Sequence, residues 1–150
     1  MTQYDQYISY GRVEHGEQFQ RLYEKTKQIA YVISFLAKTL FNQQLITTSI
    51  FRKKTTDSGI HEAYRACDFA PLNSITDTYR LIEIINELYI YDPDRPHLKV
   101  CEPPYHGTGV HIHIQAHFNT THITQSQILA FAIKAEEDKK AFQPVKLGVI

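Results

Sequence analysis

The segment VHIHIQAHF, Val110 to Phe118, places imidazoles at alternate positions. Alternation along a strand sends every second side chain to the same face. His111, His113, Gln115 and His117 are therefore expected on one side. Val110, Ile112, Ile114 and Ala116 are expected on the other, packed into a core. A face of imidazoles either binds a metal ion or is a solvated polar surface that happens to be rich in histidine. Upstream, SGIHEAYRACDF sets His61 and Asp68 seven residues apart. Read alone, these are either a turn histidine and a capping or salt-bridged aspartate, or two metal ligands. One imidazole and one carboxylate from this segment, joined by one imidazole from the histidine strand, make three protein ligands. Catalytic zinc takes that number and keeps a fourth position open for water.

Taken together, the two segments resemble a known superfamily of zinc peptidases. His61-Glu-Ala-Tyr64-Arg-Ala66-Cys-Asp68 is similar to the HxxGxAxD motif of D-Ala-D-Ala carboxypeptidases and L-alanyl-D-glutamate peptidases. The preceding TTSIFRKKTTDSG resembles the TSGYR…S-G segment of that family. His111-Ile-His113 resembles the HxH strand of lysostaphin and of the penicillin-insensitive murein endopeptidase. These enzymes share a zinc site with one another and with the hedgehog signalling domain. The resemblance spans about Leu45 to His117, roughly half of the 150 residues. It implies His61, Asp68 and His113 as zinc ligands, His111 as catalytic histidine and Arg52 as a substrate contact. Ala66 matches the small residue between the ligands.

Two departures from the family pattern stand out. Tyr64 occupies the position where the family usually has glycine. Val110 occupies the position of the catalytic carboxylate of the carboxypeptidases, three residues before the last ligand. The proton-transfer role then falls to His111, with His106 or Glu102 as the other candidates. His117 is a further candidate for the same polar wall. In the mechanism this implies, zinc lowers the pKa of a bound water from about 15.7 towards 7. His111 relays its proton, and zinc and Arg52 steady the oxyanion. The implied activity is a metallopeptidase (hydrolase) acting on stem peptides or cross-links of peptidoglycan. The alternative is a zinc-binding module of the same fold without catalysis.

These residues need elements to hold them. Phe19, Leu22, Tyr23, Ile29, Ile33, Leu36 and Leu40 recur near a 3.6-residue period and predict one helix from about Glu17 to Phe41. LITTSIFR, Leu45 to Arg52, is dense in β-branched residues and reads as a strand. Residues 53–59 form a loop, and Ile60 to Ala70 form a turn that leads into a second strand. Ser74 and Asp77 match a capping box opening a second helix. Its buried face is expected at Ile75, Tyr79, Ile82, Ile85 and Leu88. A short strand is expected over residues 97–102, and PPYHGTG is a loop in which Gly107 and Gly109 form a tight turn. A last helix is expected from Thr124 to about Phe142. This order suits an α+β fold: a small antiparallel sheet bearing the zinc site, with flanking helices. His61 and His113 are expected on neighbouring strands of that sheet.

Composition bounds the rest. The length suits one domain, with residues 1–15 as an irregular arm rich in tyrosine. Sixteen basic and sixteen acidic residues balance to a net charge of zero, which favours neither nucleic acid nor an acidic membrane surface. No apolar run approaches the roughly 20 residues of a membrane span. Cys67 and Cys101 lack CxxC spacing and are expected as buried thiols. The polar N-terminus shows no signal peptide, so cytoplasmic synthesis is expected. With the resemblance, this suits a phage lytic enzyme (endolysin) that reaches the cell wall after release.

Overall fold

In a computed structural model of the chain, residues 7–53, 59–105 and 109–122 are described. Chain order is β1 (Ile8–Tyr10), α1 (His15–Gln20), α2 (Glu24–Phe41), β2 (Leu45–Ser49), β3 (Ala66–Phe69), α3 (Ile75–Leu88), β4 (Tyr89–Ile90), β5 (Ile112–Gln115) and β6 (Thr121–His122). The fold is α+β. A four-stranded sheet runs β1-β2-β3-β5, and β4 pairs with β6 in a small second sheet. The sheet is mixed rather than purely antiparallel. β2, β3 and β5 are antiparallel neighbours, whereas β1 joins β2 in parallel. The expected N-terminal arm is thus structured from residue 7 onward, because Ile8 buries in the core and Tyr7 packs edge-on against Phe35.

The first predicted helix is two helices. Its apolar positions are well placed, with Phe19, Ile29, Ile33, Leu36 and Leu40 all buried. Arg21 to Tyr23 interrupt it. The Tyr23 N–H donates to the Tyr64 carbonyl and the Thr26 hydroxyl donates to the Arg65 carbonyl. A tertiary contact to the segment after His61 thereby replaces local helix bonds at that point, a choice that periodicity cannot reveal. Asn42, in the left-handed region at φ 54°, ends α2, a role that asparagine fills with little strain.

Helix α3 begins as expected: the Ser74 hydroxyl accepts from the Asp77 N–H. Its buried face is rotated from the expected one. Ile75 and Tyr79 are exposed, while Thr78, Leu81, Ile82, Ile84, Ile85 and Leu88 are buried. Thr78 can bury because its hydroxyl donates to the Ser74 carbonyl and accepts from the Leu72 N–H, leaving no polar group unsatisfied.

No strand forms over residues 97–102; an isolated bridge joins Cys101 to Ile114. Strand β2 ends at Ser49, short of Arg52, and its register with β3 shifts between Thr47 and Ser49. Cys67 and Cys101 are buried free thiols, and burial raises the pKa of both above the usual thiol value. The expected helix from Thr124 to about Phe142 lies outside the described residues. No helix among the described residues is long and apolar enough to cross a membrane.

Candidate metal centre

Strand β5 carries the alternation that its sequence demands. Ile112, Ile114 and Ala116 are fully buried, and His113 and Gln115 occupy the opposite face. The strand is shorter than the segment VHIHIQAHF. Val110 precedes it and is 39% exposed rather than in the core. His117 follows it, in a turn where its ring packs on Phe118 and Tyr91 and its Nδ1 accepts from the Asn119 N–H. Its contacts lie there, and it takes no part in the histidine wall.

β3 pairs with β5 so that Asp68 lies directly opposite His113. Asp68 Oδ1 is 2.8 Å from His113 Nδ1. His61 reaches the same point from the turn before β3, not from a neighbouring strand. Its Nε2 is 3.4 Å from Asp68 Oδ2, and its ring stands edge-on to that of His113 at 5.3 Å. One ligand atom from each of His61, Asp68 and His113 lies within 4.8 Å of the others. The three residues are 0%, 4% and 4% exposed, respectively.

A hydrogen bond assigns the nitrogens of the His61 ring. His61 Nδ1 is 2.9 Å from the Ile50 carbonyl, which can only accept, so the proton sits on Nδ1. Nε2 is left buried with a free lone pair and no hydrogen bond. A buried polar atom without a partner is costly unless something binds it. Atoms around a tetrahedral zinc stand about 3.3 Å apart, given bonds of about 2.0–2.1 Å. The His61–Asp68 separation matches that figure. The donor set fits a metal ion: two imidazoles and a carboxylate, converging and withdrawn from water.

The charges are interdependent. Burial alone would raise the pKa of Asp68, but its hydrogen bond with His113, the charge of that ring and the nearness of His61 hold it far below the usual carboxylate range. Burial would likewise lower that of His113, yet its hydrogen bond to Asp68 and the aspartate charge raise it instead. The carboxylate stays ionised and draws positive charge towards itself.

Of the other expected residues, Arg52 and His111 lie near Asp68. Arg52 Nη1 is 3.0 Å from Ser49 Oγ and 3.4 Å from Asp68 Oδ2, with its side chain 45% exposed. His111 Nε2 is 4.0 Å from Asp68 Oδ2, and its side chain is 19% exposed. Glu102 Oε1 accepts from the Gln115 carboxamide, and its charge adds to the raised pKa of His113. His106 lies outside the described residues.

Tyr64 sits in the left-handed region at φ 57°, the backbone conformation that glycine adopts without strain. Stacking on Phe51 at 4.9 Å holds it there. The turn Gly59–Tyr64 is closed by backbone bonds from Ala63 to Gly59 and from Arg65 to Ile60, which deliver His61 inward. Neither this strain nor the contacts of Gln115 were evident from residue spacing. A tyrosine at a glycine position was the one available clue. Comparison of the chain with protein-family models, curated proteins and solved structures finds no match.

Proposed function

We propose that this protein is a zinc-dependent peptidase and that its substrate class is the stem peptides or cross-links of peptidoglycan. The observation that carries the metal-dependent part is the buried, hydrogen-bond-free Nε2 of His61 directed at Asp68 and His113. The substrate class rests on the resemblance of the two motifs, to which the left-handed Tyr64 adds support. The family position that usually holds glycine here holds a residue in glycine-like backbone geometry. His61 through Nε2, Asp68 through its carboxylate and His113 through Nδ1 would hold the ion. A zinc ion in a site of three protein ligands supplies Lewis acidity towards water and a substrate carbonyl.

The chain's own residues do the remainder. His111, at the partly open edge of the cluster, accepts the proton of the attacking water and returns it to the leaving amine. Arg52, half-exposed beside Asp68, donates hydrogen bonds to the substrate or to the developing oxyanion. Burial of the three ligands excludes bulk water and strengthens each of these interactions.

Depth favours a second reading. Ligands exposed by no more than 4% also suit a metal-binding module without catalysis. Purified peptidoglycan digested with zinc-loaded protein, followed by mass analysis of the fragments, separates the two. The peptidase reading expects fragments cut at one type of peptide bond. Full zinc occupancy with intact peptidoglycan of every cross-link type establishes the module instead.

A further inference from the structure

We infer that Gln115 is the positioning residue of this metal centre: its carboxamide selects Nδ1 of His113 as the atom that faces the ion. The inference rests on the metal-binding reading above and concerns a residue that supplies no ligand atom. His113 Nε2 is 3.0 Å from Gln115 Oε1. A carboxamide could turn either its oxygen or its nitrogen towards the ring, and the surroundings of Gln115 decide which. Its Nε2 is 2.9 Å from the Lys99 carbonyl and 3.2 Å from Glu102 Oε1. Both of those atoms are acceptors, so the NH₂ group must point to them. Oε1 is therefore the atom that meets His113, and His113 Nε2 must carry the proton. Nδ1 is then the nitrogen left to face an ion; with none bound it donates to Asp68 Oδ1 at 2.8 Å.

His61 shows the same device with the nitrogens exchanged. There the Ile50 carbonyl takes the Nδ1–H and leaves Nε2 free. Two acceptors, one from the backbone and one from a side chain, thus turn opposite nitrogens of two rings towards one point. Gln115 itself is buried, and three directed contacts hold it. A polar side chain fixed to this degree inside a core orients what it touches. Groups that bind the far nitrogen of a ligating histidine commonly change metal affinity by about 10–100-fold.

The test uses the full chain, with zinc as the probe. Nitrogen-15 NMR of the zinc-loaded wild type reads which nitrogen of each histidine is ligated and needs no variant. The expected result is ligation through Nδ1 at His113 and through Nε2 at His61. Competition with a zinc chelator then compares the wild type with Gln115→Leu, which keeps bulk but offers no acceptor. The expected loss of affinity is about 10–100-fold, with an unchanged circular dichroism spectrum. Ligation of His113 through Nε2, or wild-type affinity in a folded Gln115→Leu, overturns the inference and leaves the metal site standing. Absence of zinc binding by the wild type overturns both. Should Gln115→Leu fail to fold, the nitrogen assignment in the wild type decides.

Discussion

Asp68 and His113 face each other across β3 and β5, 45 residues apart in sequence and 2.8 Å apart at Oδ1 and Nδ1. This pair is the core of the centre, because it brings the carboxylate and one imidazole onto adjacent strands of a rigid sheet. His61 completes the group from the preceding turn. A metal held between strands keeps its donors in place better than one held by loops alone.

If these three residues are the ligands, the purified protein contains one equivalent of zinc. His61→Ala, Asp68→Ala and His113→Ala should each lose it. Elemental analysis of protein purified without chelators provides the check. It also reports iron(II), which accepts the same pair of histidines and a carboxylate. Retention of a full equivalent in any of the three variants removes that residue from the ligand set.

His111 approaches Asp68 Oδ2 only to 4.0 Å and is partly exposed. Replacing it with alanine should leave zinc bound and reduce peptidoglycan turnover by about 100-fold or more, the scale of general acid–base catalysis. Loss of zinc in this variant would make His111 a ligand. Unchanged turnover would pass the proton-transfer role to another group.

Tyr64 combines a costly backbone with a favourable stack. A left-handed residue with a Cβ costs about 1–2 kcal/mol, and an aromatic pair such as Tyr64–Phe51 contributes about 0.5–1.5 kcal/mol. Tyr64→Gly removes both and adds about 0.4–1 kcal/mol of chain entropy to the unfolded state. Its stability should lie within about 1 kcal/mol of wild type. Tyr64→Val keeps the strain, worsens it through β-branching and loses the stack, so it should be destabilised by about 2 kcal/mol or more. Urea denaturation of the two variants measures the contrast, and equal destabilisation would refute this account of the turn.

His15 provides a pH dependence remote from the metal centre. It is buried, and its Nδ1 lies 2.7 Å from the Thr47 hydroxyl, whose oxygen accepts from the Gly11 N–H. Burial lowers its pKa below 6.5; Glu14 opposes the shift and Arg12 adds to it. A histidine whose pKa is lowered by folding contributes its full stability above 6.5. That contribution is lost as pH falls through the lowered, folded-state value. Wild type should therefore lose stability relative to His15→Gln on acidification within about pH 8 to 5. Other titrating groups are common to both chains and cancel in the comparison. Denaturation midpoints of the two chains across this range test it, and parallel curves would dismiss a role for His15.

Local chemistry alone determined a good part of this protein. Alternation placed Ile112 and Ile114 in the core and His113 and Gln115 opposite them, because strand geometry leaves no other choice. Ser74 announced α3 through a hydroxyl that caps its own helix, and the apolar period located the buried residues of α1 and α2. Residue type marked His61, Asp68 and His113 as donors. Tertiary structure decided what those forces do not reach. Periodicity specifies that a face exists but not its rotation, so Ile75 and Tyr79 fell outside the buried face of α3. Propensity favours one long helix, yet the Tyr64 and Arg65 carbonyls divide it by accepting from the Tyr23 N–H and the Thr26 hydroxyl. The meeting of Asp68 with His113 depends on strand register, and the choice of nitrogen on each ring depends on the Ile50 carbonyl and Gln115. These are contacts between distant parts of the chain, and they exist only once the sheet has assembled.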